Sequence, residues 1–177
     1  MGGRFEWAGR QWEAAPLPAS AAAVVAQLAE DDAPVQMSAV LRVAEAAGIG
    51  EEGVLDALWE AEDEPVLLDL AAGVLAVGTA RPWRSTVGLS VSTVRQWSTI
   101  RGRLIEKGVP DPLRALPSLT ALLDVVEVMV LDSFEKDEDR QRWLRELYRN
   151  NTTVDAAEPP PGWSDGVEGL DDLMVGG

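Results

Sequence analysis

The chain has 177 residues, with 15 lysines and arginines against 30 aspartates and glutamates, and no cysteine or histidine. The net charge of −15 argues against nucleic acid and anionic membranes as partners. The missing residue types exclude disulfides, thiol nucleophiles, Cys/His zinc sites and proton relays through imidazole, so we expect an acidic, soluble protein.

The first predicted element is a β-hairpin within residues 1–18. Phe5 and Trp7 share one side of an alternating segment, Ala8-Gly9 provides a turn that tolerates positive φ, and Trp12 lies on the returning arm. An isolated hairpin is only marginally stable in water. We therefore expect its aromatic side chains to pack against a helical body.

Helical spacing of apolar residues dominates from residue 19 to residue 150, and Ser20 is the first N-cap candidate. The predicted helices cover residues 21–30, 37–47, 51–59, 65–77, 83–108, 119–134 and 137–148. The fold class is therefore mainly α: a bundle of six to seven helices with a short N-terminal β-hairpin. The predicted core consists of Leu67, Leu70, Val94, Leu104, Leu122, Val126, Met129 and Leu144.

Glycines mark two helix ends and interrupt the longest predicted helix. Gly48 and Gly108 are typical residues just past a helix C-terminus. Gly88 and Gly102 lie inside residues 83–108, where each costs roughly 1 kcal/mol relative to Ala. We expect another helix to pack closely against them.

The third predicted helix carries an apolar stripe after an acidic first turn. The stripe consists of Val54, Leu55, Leu58 and Trp59. Its i, i+3, i+4 spacing predicts that these side chains face the core.

The composition changes after residue 150. Residues 151–177 contain six acidic residues and no basic ones, three consecutive prolines, and a terminal Leu170-Asp171-Asp172-Leu173-Met174 cluster. This composition predicts a disordered acidic tail that either docks its apolar end on a partner or only aids solubility. The expected organisation is a hairpin (1–18), a helical domain (19–150) and this tail.

Charge is distributed unevenly. Residues 1–80 carry 3 basic and 14 acidic residues, whereas residues 81–114 carry 7 basic and 2 acidic ones. The basic side chains Arg95, Arg101, Arg103 and Lys107, with Trp97 as a stacking platform, could form a phosphate-binding ridge. Because acidic residues surround this segment, pairing within the chain is the favoured interpretation.

No residue pattern indicates catalysis, a cofactor or a metal. The carboxylates of Glu62-Asp63-Glu64 and Asp137-Glu138-Asp139 are consecutive and point in different directions. Phosphate-binding glycine loops and nucleophile elbows are missing. Asp124 and Glu127 share a helix face, for which we expect salt bridges to arginines of the preceding helix. We predict that the protein is not an enzyme.

Several motifs resemble proteins encoded among the tail genes of long-tailed phages of actinobacteria. The opening Phe5-Glu6-Trp7-Ala8-Gly9-Arg10 is similar to the hairpin that often starts small tail assembly chaperones. The other motifs are Ala80-Arg81-Pro82-Trp83, Val94-Arg95-Gln96-Trp97, Ile100-Arg101, Gly108-Val109-Pro110-Asp111-Pro112, Leu122-Leu123-Asp124 and Arg145-Glu146-Leu147-Tyr148.

This resemblance implies a tail assembly chaperone in the host cytoplasm. Such a protein binds the tape measure protein, keeps its long hydrophobic helices soluble and recruits tail-tube subunits. The alternative is a virion structural protein, such as a head–tail connector, a minor tail protein or a capsid-associated protein. An acidic DNA mimic fits the charge but not the basic segment. The candidate partner-binding residues are Trp83, Trp97, Arg101, Trp163, Leu170, Leu173 and Met174.

Overall fold

The computed structural model describes residues 2–61 and 65–149. Within them, a two-stranded antiparallel hairpin precedes a series of helices, which confirms the predicted mainly α fold. The chain divides into two units, Met1–Val126 and Glu127–Gly177. The division falls inside a helix and not at residue 150, and the predicted tail lies outside the described residues.

The elements are short, and more helical segments are present in the described residues than the sequence predicts. The strands are β1 (Gly3–Trp7) and β2 (Arg10–Ala14). The helices are α1 (Ala22–Ala26), α2 (Ala33–Ala46), α3 (Glu51–Glu60), α4 (Leu67–Thr79), α5 (Trp83–Arg95), α6 (Trp97–Glu106), α7 (Pro112–Ala115), α8 (Leu119–Ser133) and α9 (Asp137–Leu147).

Two local features account for the larger number of helices. The predicted helix 83–108 is interrupted at Gln96, whose φ of −108° and ψ of 20° depart from helical values and separate α5 from α6. The turn after Gly108 contains the short helix α7, which begins at Pro112, a residue suited to a first helical turn.

The helix ends agree with the sequence at the glycines and differ at Ser20. Gly48 and Gly108 have φ values of +82° and +88°, so both adopt the predicted left-handed conformation. Ser20 is not an N-cap, because it lies inside a 3₁₀ turn that begins after Pro18. The carboxylate of Asp32 caps α2 instead by accepting a hydrogen bond from a backbone amide at 3.2 Å.

The N-terminal hairpin packs on α4, as its aromatic residues predict. Ala8 and Gly9 form its turn with φ values of 51° and 67°, and Phe5 pairs with Trp12 across the strands. The indole N–H of the buried Trp7 donates to the carbonyl oxygen of Val66 at 3.0 Å. This bond fixes the hairpin to the residue just before α4.

Two glycines allow β1 to lie directly on α4. A Cβ atom at Gly3 would lie 2.7 Å from the Cβ of Val77. A Cβ atom at Gly73 would overlap the ring of Phe5, with Cε2 at 2.7 Å. Neither distance is compatible with normal packing, so the close contact between strand and helix requires glycine on both sides.

Gly73→Ala is expected to destabilise the protein by about 1 kcal/mol, because overpacking of about 2 kcal/mol exceeds the helix-propensity gain of about 1 kcal/mol. Urea unfolding measures this difference. Gly102→Ala in α6 is the matched control, since nothing lies within 4 Å of a Cβ there. It should raise stability by about 1 kcal/mol. Equal stabilisation by both substitutions would contradict the docking.

The core of the first unit surrounds α4, which contacts the hairpin, α2 and α5. Five of the eight predicted core residues are buried: Leu70, Leu104, Leu122, Val126 and Met129. The other three assignments are wrong. Leu67 and Leu144 are only half-buried, and Val94 is 46% exposed.

Val94 is exposed because α5 buries hydroxyl residues, namely Ser85, Thr86, Ser90 and Thr93. The hydroxyls of Ser90 and Thr93 donate to backbone carbonyl oxygens four residues earlier, both at 2.7 Å. These bonds satisfy the buried polar groups within their own helix. The buried face of α5 is therefore rotated away from the face that contains Val94.

In the second unit, the described residues join the end of α8 to α9. The rings of Phe134 and Trp143 lie 6.1 Å apart and tilted. The hydroxyl of Tyr148 donates to Glu127 at 2.7 Å, and Arg140 donates to the carbonyl oxygen of Phe134 at 3.0 Å. These contacts hold α9 against residues 127–134.

Candidate partner-binding surface

The carboxylates that the sequence singled out have structural partners. Arg81 binds Asp124, with Nη2 and Oδ1 2.6 Å apart, and Glu127 accepts from the Tyr148 hydroxyl. The prediction that Asp124 pairs with an arginine is confirmed. The arginine does not lie on the preceding helix, because Arg81 is in the connection between α4 and α5. Glu127 has a tyrosine partner, which the sequence did not predict.

Metal-ligating residues do not converge in the described part of the chain. Among residues 2–61 and 65–149, no group of three or more Asp or Glu side chains is arranged to hold a metal ion. None of the helices formed by these residues has the length and apolar character needed to cross a membrane.

The basic segment 81–114 is only partly paired within the chain. Arg114 lies 3.7 Å from Asp111, and the guanidinium of Arg84 lies 5.4 Å from the ring centre of Trp83. Four further basic residues are exposed and form no ion pair with a carboxylate of the described residues: Arg95, Arg101, Arg103 and Lys107. For these four, the expected ion pairs are not found within residues 2–61 and 65–149.

The exposed side of α6 combines cations with an apolar residue. Ile100 and Leu104 are buried, so Ser98, Arg101 and Ile105 point outward at i, i+3 and i+7. Ile105 is 44% exposed. We call the exposed residues Ser98, Arg101, Gly102, Arg103 and Ile105 the basic face of α6.

Gly102 lies in the middle of this face without a neighbour. Nothing in the described structure approaches a Cβ at Gly102 within 4 Å. The expectation that another helix of the chain packs closely here is therefore wrong for Gly102. The helix backbone is accessible at this point.

The structure brings two of the predicted partner-binding residues together. Trp97 is half-buried and lies one turn before Arg101 on α6. Trp83 lies on a different helix, at the start of α5. The other four, Trp163, Leu170, Leu173 and Met174, lie outside the described residues.

Sequence reasoning missed a second surface, on α3. Val54 and Ala57 bury the inner side of α3, whereas Leu55 is 47% exposed and Trp59 is 87% exposed. The prediction that Leu55 and Trp59 face the core is wrong. We call Glu51, Glu52, Leu55, Asp56 and Trp59, all exposed, the acidic face of α3.

A signal for this surface is present in the sequence. Glu52, Asp56 and Trp59 recur at i, i+4 and i+7, so the carboxylates share a helix face with the indole. A buried face would exclude those carboxylates. The apolar stripe hides this signal, because the stripe also contains the buried Val54.

A family model described as "Family of unknown function (DUF7240)" matches residues 92–172, which is less than half of the chain. No curated protein and no solved structure shows a significant match. The matched residues include the basic face of α6, whereas the acidic face of α3 precedes them.

Proposed function

We propose that the protein is a non-enzymatic phage tail assembly chaperone that acts in the host cytoplasm. It binds the tape measure protein, keeps its hydrophobic helices soluble and helps to recruit tail-tube subunits. The observation that carries the proposal is the basic face of α6, where Arg101 and Arg103 lie near the exposed Ile105. The proposed role requires no catalytic residue, cofactor or metal.

Two motifs of the phage-tail resemblance lie at the ends of this face. Val94-Arg95-Gln96-Trp97 contains the break between α5 and α6, and Gly108-Val109-Pro110-Asp111-Pro112 follows the end of α6. The resemblance therefore concerns the residues that position the face.

The chemistry of the face fits a helical client that has an apolar stripe and acidic flanks. Ile105 and the exposed part of Trp97 provide apolar contacts, while Arg101 and Arg103 provide donors for carboxylates. Exposed ion pairs contribute about 0–1 kcal/mol each, so binding of this kind is reversible. Reversibility suits a factor that releases its client during assembly.

Co-expression with the tape measure protein of the same phage tests the proposal. The wild-type chain should co-purify with the tape measure protein and increase its soluble fraction. Arg101→Glu combined with Ile105→Glu should reduce that recovery at least about tenfold, a loss of about 1.4 kcal/mol in binding. Arg114→Glu is the control, because Arg114 is exposed and lies outside the basic face. Equal recovery of all three would contradict the proposal.

Mass spectrometry of purified particles separates this role from a virion component. A chaperone should be missing from the particles. Detection at a fixed copy number would instead identify the protein as a connector, minor tail protein or capsid-associated protein.

A further inference from the structure

We propose that the acidic face of α3 in one copy binds the basic face of α6 in a second copy, so that the protein associates head to tail. The inference concerns the purified chain alone and does not depend on the proposed client. Both faces belong to the first unit.

The acidic face has an apolar ridge and unpaired carboxylates. Leu55 and Trp59 lie one turn apart, and the indole of Trp59 is almost fully exposed. Glu52 and Asp56 are exposed beside them and form no ion pair with a described basic residue. The neighbouring Glu60 differs, because its carboxylate binds Arg10.

The basic face carries the opposite charge and one exposed apolar residue, Ile105. α3 and α6 both have 10 residues. Arg101 and Ile105 on α6 have the i, i+4 spacing of Leu55 and Trp59 on α3. Two helices of equal length thus present apolar side chains within complementary charges.

Gly102 is the observation that points to a close contact from outside the chain. A glycine inside an exposed helix costs about 1 kcal/mol relative to alanine. No contact within the described structure makes use of the missing side chain. A flat aromatic ring from another copy can approach the helix backbone there, between Arg101 and Ile105. The Trp59 indole fits that position, and the guanidinium of Arg101 can then lie over its face.

The partner is a second copy because each copy carries both halves of the contact. Residues 1–80 have a net charge of −11 and residues 81–114 a net charge of +5, so the attraction pairs the α3 region with the α6 region. Such a contact joins two different surfaces. After one contact forms, each copy still has one free face, so association continues beyond a dimer or closes into a ring.

Sedimentation of the purified full chain at physiological salt tests the inference. Over a hundredfold concentration range, the mass of the wild-type species should rise past twice the 19.0 kDa of one chain. Trp59→Glu removes the aromatic ring of the acidic face. Arg101→Glu with Arg103→Glu reverses the charge of the basic face. For each variant alone, association should be weakened at least about tenfold, or 1.4 kcal/mol, so that the variant is monomeric at concentrations where the wild type already associates.

Mixing the two variants gives the decisive result. Each retains one intact face, so an equimolar mixture should form a dimer that does not grow. Met37→Glu is the matched control: it places the same charge at an apolar residue that is 51% exposed and lies on neither face. This control should associate like the wild type. Circular dichroism shows whether each variant is folded.

Gly102→Ala gives a second, independent readout. It should raise the melting temperature while weakening association, because the added methyl group occupies the position of the partner's ring. A wild-type chain that stays monomeric, a mixture that stays monomeric, or unchanged association of Gly102→Ala would each overturn the proposal.

Discussion

Leu122→Asp is expected to unfold the first unit. Leu122 is completely buried on α8, within the cluster that includes Leu119, Leu123 and Val126. An unpaired carboxylate in such a site costs several kcal/mol, and the loss of leucine packing adds about 2–5 kcal/mol. The total approaches the roughly 5–15 kcal/mol by which a domain of this kind is stable. Thermal melting followed by circular dichroism measures the loss.

Val128→Asp on the same helix is the control for this result. Val128 is 54% exposed, so the introduced carboxylate remains hydrated. Its effect on stability should stay within about 0.5 kcal/mol. If Leu122→Asp melted at the wild-type temperature, the assignment of the core around α8 would be wrong.

Trp7→Ala is expected to reduce the free energy of unfolding by about 3–5 kcal/mol. The substitution removes a buried side chain, its hydrogen bond to the carbonyl oxygen of Val66, and its ring contact with Trp12 at 6.1 Å between ring centres. The hairpin then loses its main attachment to α4. Urea unfolding, with the midpoint and slope fitted together, measures the change.

Trp59→Ala removes the same side chain from an exposed position. Trp59 is 87% exposed, so its removal should change the stability of the monomeric chain, measured at concentrations below any association, by less than about 0.5 kcal/mol. Similar losses for Trp7→Ala and Trp59→Ala would show that the hairpin does not depend on a buried indole.

The hairpin and the glycine helix ends could be predicted because their signals are local. Alternation around Ala8-Gly9 specifies two strands and a turn, and Gly48 and Gly108 adopt a conformation that most other residues avoid. The buried face of α5 could not be predicted in this way. Ser90 and Thr93 are polar, so hydrophobic periodicity does not predict their burial. Their hydrogen bonds within the helix lower the free-energy cost of burying the hydroxyls.

The candidate surfaces were predictable only in part. The i, i+4 spacing predicts that Trp97 and Arg101 share a helix face, and both residues lie on α6. The net charges of the sequence segments predict ion pairs within the chain. They do not show in which direction each charged side chain points. The exposed cations of α6 and the exposed indole of Trp59 depend on which side of each helix the core occupies.

The attachment of the hairpin to α4 determines when the first strands can become stable during synthesis. Trp7 donates its hydrogen bond to Val66, 59 positions later in the chain. A two-stranded hairpin has little stability of its own, and contacts between distant residues form only after the entropy of closing the intervening loop is overcome. The strands are therefore synthesised before α4 but become ordered only after it. Until α4 has left the ribosome, the three aromatic side chains of the hairpin lack the helix on which they pack, and transiently exposed apolar surface of this kind favours aggregation of a nascent chain.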